Sequence, residues 1–66
     1  TYQNYPFLSE LVERALASSD LIEIEGIMQS ISNAIGWNES YEYEAACYDA
    51  HDKVEEHYHN TEQENK

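Results

Sequence analysis

Positive charge is scarce in this sequence. Three Lys and Arg stand against 14 Asp and Glu in 66 residues, a formal net charge of −11. A surface so short of cations repels phosphate, which argues against direct binding to nucleic acid or to an anionic membrane. Cysteine is scarcer still: Cys47 stands alone and has no partner for an internal disulfide. No apolar run of about 18 residues and no charged-then-apolar leader occurs, so membrane spanning and secretion have no support and the expected location is cytoplasmic. Thr1 suits removal of an initiator Met, as it would a trimmed N-terminus.

Catalytic signatures are missing as well. No His precedes His51, and there is no Gly-rich phosphate loop, P-loop or nucleophile elbow. A lone Cys with histidines on the same helix is weak evidence for a nucleophile, because its activation needs groups gathered around a pocket that so short a chain has little room to build. The expectation is a protein that is not an enzyme and takes no cofactor.

What is present is a folding sequence. The hydrophobic fraction is 41%, and Leu, Ile, Val, Phe and Trp concentrate in the first 37 residues rather than being spread throughout. The length allows one small domain, placed at residues 1–60, with 61–66 as a disordered acidic tail. A chain of this size buries only about 60% of its unfolded surface, so its stability is modest or shared with a partner or a second copy.

No segment alternates with period 2, whereas three stretches carry apolar residues at helical spacing, which predicts an all-α, three-helix bundle. In the first, Pro6 sits at a helix start and Phe7, Leu8, Leu11, Val12, Ala15 and Leu16 form one face, ending near Ala17 or Ser18. Asp20 and Glu23 read as a capping box opening a second helix with a stripe of Leu21, Ile24, Ile27, Met28, Ile31, Ala34 and Ile35. Gly36 stops it, with a left-handed conformation and Trp37 folding back as the contact of a Schellman motif. Gly26 lies mid-helix, where it is either tolerated or needed for close approach of a neighbour. The third helix starts after Asn38 as cap and runs towards Tyr58 or His59, with Glu39 and Glu42 favourably placed against the helix dipole. Short connections make successive helices antiparallel neighbours.

At 100° per residue, Tyr43, Cys47, Ala50, Val54, His57 and Tyr58 form the core side of the third helix. That stripe is small and half-polar, so the helix is expected to pack loosely or to bury more surface by pairing, a homodimer included. Another side carries Tyr41, Glu44, Tyr48, Asp52, Glu55 and His59, a mixture of amphipathic aromatics and carboxylates suited to binding protein. Cys47, His51, Glu55 and His59 recur every four residues, and all are metal-ligating types. Such a row drifts by 40° per step, so His51, Glu55 and His59 offer adjacent two-ligand pairs that need help from another chain.

Charge gathers in the same region. Through Trp37 five acids face Arg14, a balance of −4; beyond it nine acids face Lys53 and Lys66, a balance of −7. Carboxylates four apart on a helix are separated by about 6 Å along the axis, near the phosphate step of a nucleic-acid strand. Between Asn38 and His59 the helix carries about one acid per 5 Å, a dilute copy of a strand with one charge per about 3.4 Å. The candidate partner-binding residues are therefore Glu39, Tyr41, Glu42, Glu44, Tyr48, Asp49, Asp52, Glu55 and Glu56, with a basic protein, a nucleic-acid-binding enzyme or complex, as partner. In size and composition the chain is similar to the physical class of phage and mobile-element DNA mimics, which includes anti-restriction, anti-CRISPR and glycosylase-inhibitor proteins. The runner-up expectation is a helical assembly or adaptor module, or an antitoxin or immunity protein, that dimerises or docks through the third helix.

Overall fold

The computed structural model describes residues 2–36 and 40–64. A short turn, Tyr2–Asn4, precedes three helices: α1 Pro6–Leu16, α2 Leu21–Ile35 and α3 Tyr41–Glu64. Among the described residues there is no strand, and the helices form a three-helix bundle. The 24 residues of α3 span about 36 Å at about 1.5 Å each and set the 40 Å long axis, while α1 and α2 form a shorter hairpin along it.

Local chemistry explains the helix ends. Pro6 occupies the first turn of α1, where its missing N–H leaves nothing unsatisfied, and the extended Tyr5 before it accepts the first bond from the Ser9 N–H. α1 closes as the Ala17 and Ser18 N–H groups donate back to Glu13 and Ala15. Asp20 caps α2 by accepting from the Ile22 N–H at 3.0 Å. The reciprocal half of the expected capping box is absent: the Asp20 N–H donates to Ser18 Oγ at 3.1 Å, so Ser18 takes the role predicted for Glu23. At the other end of α2, Gly36 has φ −81°, a right-handed conformation, which corrects the left-handed cap expected there. Trp37, Asn38 and Glu39 lie outside the described residues, as do Lys66 and its neighbour Asn65. Ser40 stands at the start of α3, where its Oγ accepts from the Tyr43 N–H at 3.4 Å.

The core consists of Leu8, Leu11, Val12 and Ala15 from α1, Ile24, Ile27 and Ile31 from α2, and Ala46, Cys47, Ala50 and Val54 from α3. The predicted stripes of α1 and α2 are recovered in their centres, but Phe7 and Leu16, on the margins of the α1 face, are 58% and 46% exposed. The small α3 stripe does not leave that helix loosely packed. Ala46, Cys47, Ala50 and Val54 are all but inaccessible, because small residues let the Leu and Ile of two other helices approach the α3 backbone closely. Tyr43, His57 and Tyr58, the larger members of the predicted stripe, stay partly exposed at its ends.

Helix α3 also continues past the expected end at Tyr58 or His59 and carries residues 61–64, which were expected to be disordered. Thr61 is buried, and its Oγ1 lies 3.5 Å from His57 Nε2. His57 itself bridges to the α1–α2 connection, where the Ser18 carbonyl lies 2.8 Å from Nε2. A carbonyl can only accept, so Nε2 carries the proton and donates. This bond and the edge-to-face contact of Tyr5 with Tyr43, centroids 5.2 Å apart, fix the two ends of the α1–α2 hairpin against α3.

Candidate functional site

With its inner side occupied by Ala46, Cys47, Ala50 and Val54, α3 must turn Tyr41, Tyr48, Asp52, Glu55, Glu56 and His59 outward. Tyr41 is 84% and Tyr48 55% exposed, and they stand two turns apart on this outer face. An exposed phenol ring covers much area with little rotamer entropy to lose, which suits it to contact rather than to solvation. Asp52 and Glu56 follow at a four-residue step, about 6 Å along the axis.

The remaining candidates spread to either side. Glu42 and Asp49 lie on the α1-facing flank, where they border a groove of ≈500 Å³ with Tyr41. Ala45 and Ala46 form its floor, and Asn4 and Tyr5 of the N-terminal segment its far wall. Farther along that flank, Glu56 and Lys53 line a smaller depression with Leu16, His57 and Asn60. Glu44 lies half-buried on the opposite flank, and Glu39 is outside the described residues. The acids of α3 thus wrap its exposed half rather than forming a single row.

Acids on the other helices extend this charge unevenly. Glu10 and Glu13 are exposed on α1, and Glu23 borders a groove with Arg14 that offsets its charge. Helix α2 has no charged residue between Gly26 and Ile35, so its outward positions, Gly26, Gln29, Ser30 and Asn33, make a neutral polar face. Ile22 stands 82% exposed at its start.

The four-residue row of metal-ligating types separates in the fold. Cys47 is wholly buried, His51 Nδ1 faces Glu55 Oε2 at 3.6 Å, and His59 Nδ1 faces Glu62 Oε1 at 4.0 Å. Among the described residues no three His, Cys, Asp or Glu gather as a group able to hold a metal ion. His51 and Glu55 remain a two-ligand pair. Burial pushes the Cys47 thiol up from its ordinary pKa, the hydrogen bond with Tyr43 pulls it down, and the nearby Glu44 charge raises it. Burial likewise raises the Tyr43 phenol, helped by Cys47 and Tyr5. Such a thiol is a protonated, inaccessible core group rather than an activated nucleophile.

No family model matches the chain, and neither a curated protein nor a solved structure matches it. Among the described residues no helix is long and apolar enough to cross a membrane. Sequence periodicity found the outer face of α3 but missed Tyr5, Asn4 and Ala45 as parts of its groove. The N-terminal turn has no helical period of its own, and the packing of Tyr2 on the core and of Tyr5 on Tyr43 brings it there.

Proposed function

We propose that this protein is a small inhibitor or regulator that occupies the basic, nucleic-acid-binding surface of another protein, in the manner of a phage or mobile-element DNA mimic of anti-restriction or anti-CRISPR type. One observation carries the reading: the outer half of α3 combines carboxylates with two exposed tyrosines, while the outer face of α2 carries no charge beyond Glu25. Acidity maintained only for solubility has no reason to be partitioned in that way.

In this reading Glu42, Glu44, Asp49, Asp52, Glu55 and Glu56 stand against Lys and Arg that otherwise hold phosphates, and Glu39 extends the series. Electrostatic attraction sets the association rate and the choice of partner. Tyr41 and Tyr48 supply apolar area and hydrogen bonds that lengthen the lifetime of the complex. The partner is a basic protein; nucleic acid is its competitor, and neither nucleic acid nor membrane is bound directly.

The test is capture of partners from a bacterial lysate on tagged protein at moderate salt, followed by a challenge with duplex DNA. Release of a nuclease, glycosylase, polymerase or nucleoid protein by DNA supports the reading. Retention of the captured proteins through the DNA challenge contradicts it.

A second reading, an assembly module or antitoxin, is favoured by a different observation, the exposure of Ile22 beside the neutral α2 face and of Phe7 on α1. Sedimentation across a wide concentration range separates the two. Dimerisation lost in Ile22→Asp favours assembly, and a monomer throughout favours inhibition.

A further inference from the structure

We propose that the groove between the N-terminal turn and the first two turns of α3 is the seat of one arginine side chain of the basic partner. The inference rests on the reading of α3 as the partner-facing element and deepens it, since it gives that diffuse acidic surface one defined point of engagement.

Three properties of the groove point to arginine. Its floor is Ala45 and Ala46, and the absence of longer side chains there leaves an apolar bed for an aliphatic stem. Its walls are aromatic. Tyr41 is largely exposed, and Tyr5 is steadied from behind by the edge-to-face contact with Tyr43, so a guanidinium plane entering between them finds a ring on which to stack. Its charged groups, Glu42 and Asp49, stand seven residues apart, about 10 Å along the axis, one towards each end.

Both carboxylates remain available for a ligand. The ion pairs among the described residues join His51 to Glu55 and His59 to Glu62, and Lys53, one turn beyond Asp49, makes none with it. Asp49 is nevertheless half-buried by the groove wall, a position in which an incoming cation is less screened than at Asp52 or Glu55 on the open face. Lysine satisfies the carboxylates but lacks the planar group that stacks on tyrosine, so the groove discriminates between the two cations.

The test needs no knowledge of the partner. Amide and aromatic NMR shifts of the whole protein are followed at low ionic strength during titration with N-acetyl-arginine amide, and in parallel with N-acetyl-lysine amide. Saturable shifts confined to Tyr5, Tyr41, Ala45, Ala46 and Asp49 are expected, with arginine about threefold tighter than lysine. Ala45→Trp, at an exposed position that leaves the core untouched, fills the groove and is expected to weaken arginine binding about fivefold or more, whereas Gln29→Trp on α2 leaves it unchanged. Asp49→Asn gives a smaller loss in the same direction. Shifts distributed over all the acids of α3 to the same degree, equal affinity for both cations, or undiminished binding in Ala45→Trp each overturn the proposal. Loss of the groove on these grounds leaves the wider reading standing if a DNA-displaced partner is still captured, so the two failures are distinguishable.

Discussion

Helices α2 and α3 solve opposite problems. α2 presents its bulk inward, with Ile24, Ile27 and Ile31 in the core, and a neutral outer face of Gly26, Gln29, Ser30 and Asn33. α3 presents its smallest residues inward, Ala46, Cys47 and Ala50, and its charge and aromatic rings outward. The first helix fills the core; the second leaves room for the first and carries the surface. The difference explains how a 66-residue chain with a net charge of −11 folds at all. Repulsion is greatest around the exposed half of α3, where solvent screens it, with a smaller share on α1 and the start of α2, and hydrophobic burial is supplied mainly by those two helices.

Changing the inner faces breaks this division most severely. Ile24→Ala removes a wholly buried side chain and is expected to cost about 2–5 kcal/mol, a large share of the stability of so small a domain. Ala50→Leu makes the reverse error, inserting bulk where α3 gives space, at about 1–3 kcal/mol. Urea denaturation of both variants checks the pair. A neutral Ala50→Leu would show that the small inner face of α3 is not a packing requirement.

Charge reversal sharpens the outer comparison. Affinity for a basic partner is expected to fall steeply with salt. Asp52→Lys with Glu55→Lys, on the outer face of α3, is expected to weaken binding about tenfold or more, and Glu62→Lys with Glu64→Lys distinctly less. Binding isotherms at several ionic strengths read both effects, and equal losses from the two pairs indicate nonspecific attraction.

A smaller effect belongs to α2. A Cβ added at Gly26 meets nothing within 4 Å, so this glycine is tolerated rather than needed for a close approach. Gly26→Ala is expected to stabilise the fold by about 0.5–1 kcal/mol through the restricted unfolded chain and better helix propensity, seen as a raised Tm.

The most local effect lies at the inner face of α3. Cys47 and Tyr43 both hold their protons to higher pH in the folded chain than in the unfolded one. The folded state therefore binds more protons in the alkaline range. The stability they contribute is complete below the ordinary thiol and phenol values, about 8.5 and 10, and is lost as pH rises beyond them. Thermal melts from neutral to alkaline pH should show this decline, and Cys47→Ala should flatten its earlier part. An unchanged profile in that variant assigns the loss to Tyr43 or to general repulsion.

Much of the fold was legible in the sequence because helical periodicity is a local property. The spacing of Leu8, Leu11, Val12 and Ala15, the stripe of Ile24, Ile27 and Ile31, the Asp20 cap and the core side of α3 all follow from positions a few residues apart. Features that depend on packing between distant segments were harder to read. Thr61 is polar and stands between Asn60 and Glu62, so nothing local marks it as buried; its place beneath His57, which is tied to Ser18 across the bundle, carries α3 beyond the expected end. Phe7 and Leu16 are apolar yet lie at the margins of the α1 face, where one flank or the other meets solvent. The candidate site divides in the same way. The outward row of Tyr41, Tyr48, Asp52 and Glu55 came from the period of one helix, whereas the groove at Glu42 and Asp49 required Tyr5, brought from the other end of the sequence by its contact with Tyr43.

The most direct test of the central claim places a pair of lysines on each of the two outer faces and reads capture of a partner that duplex DNA can displace. Asp52→Lys with Glu55→Lys on α3 should weaken capture about tenfold or more, and Gln29→Lys with Asn33→Lys on α2 should leave it intact. Equal loss from both pairs, or capture undiminished by the α3 reversal, would contradict the assignment of α3 as the element that takes the place of nucleic acid.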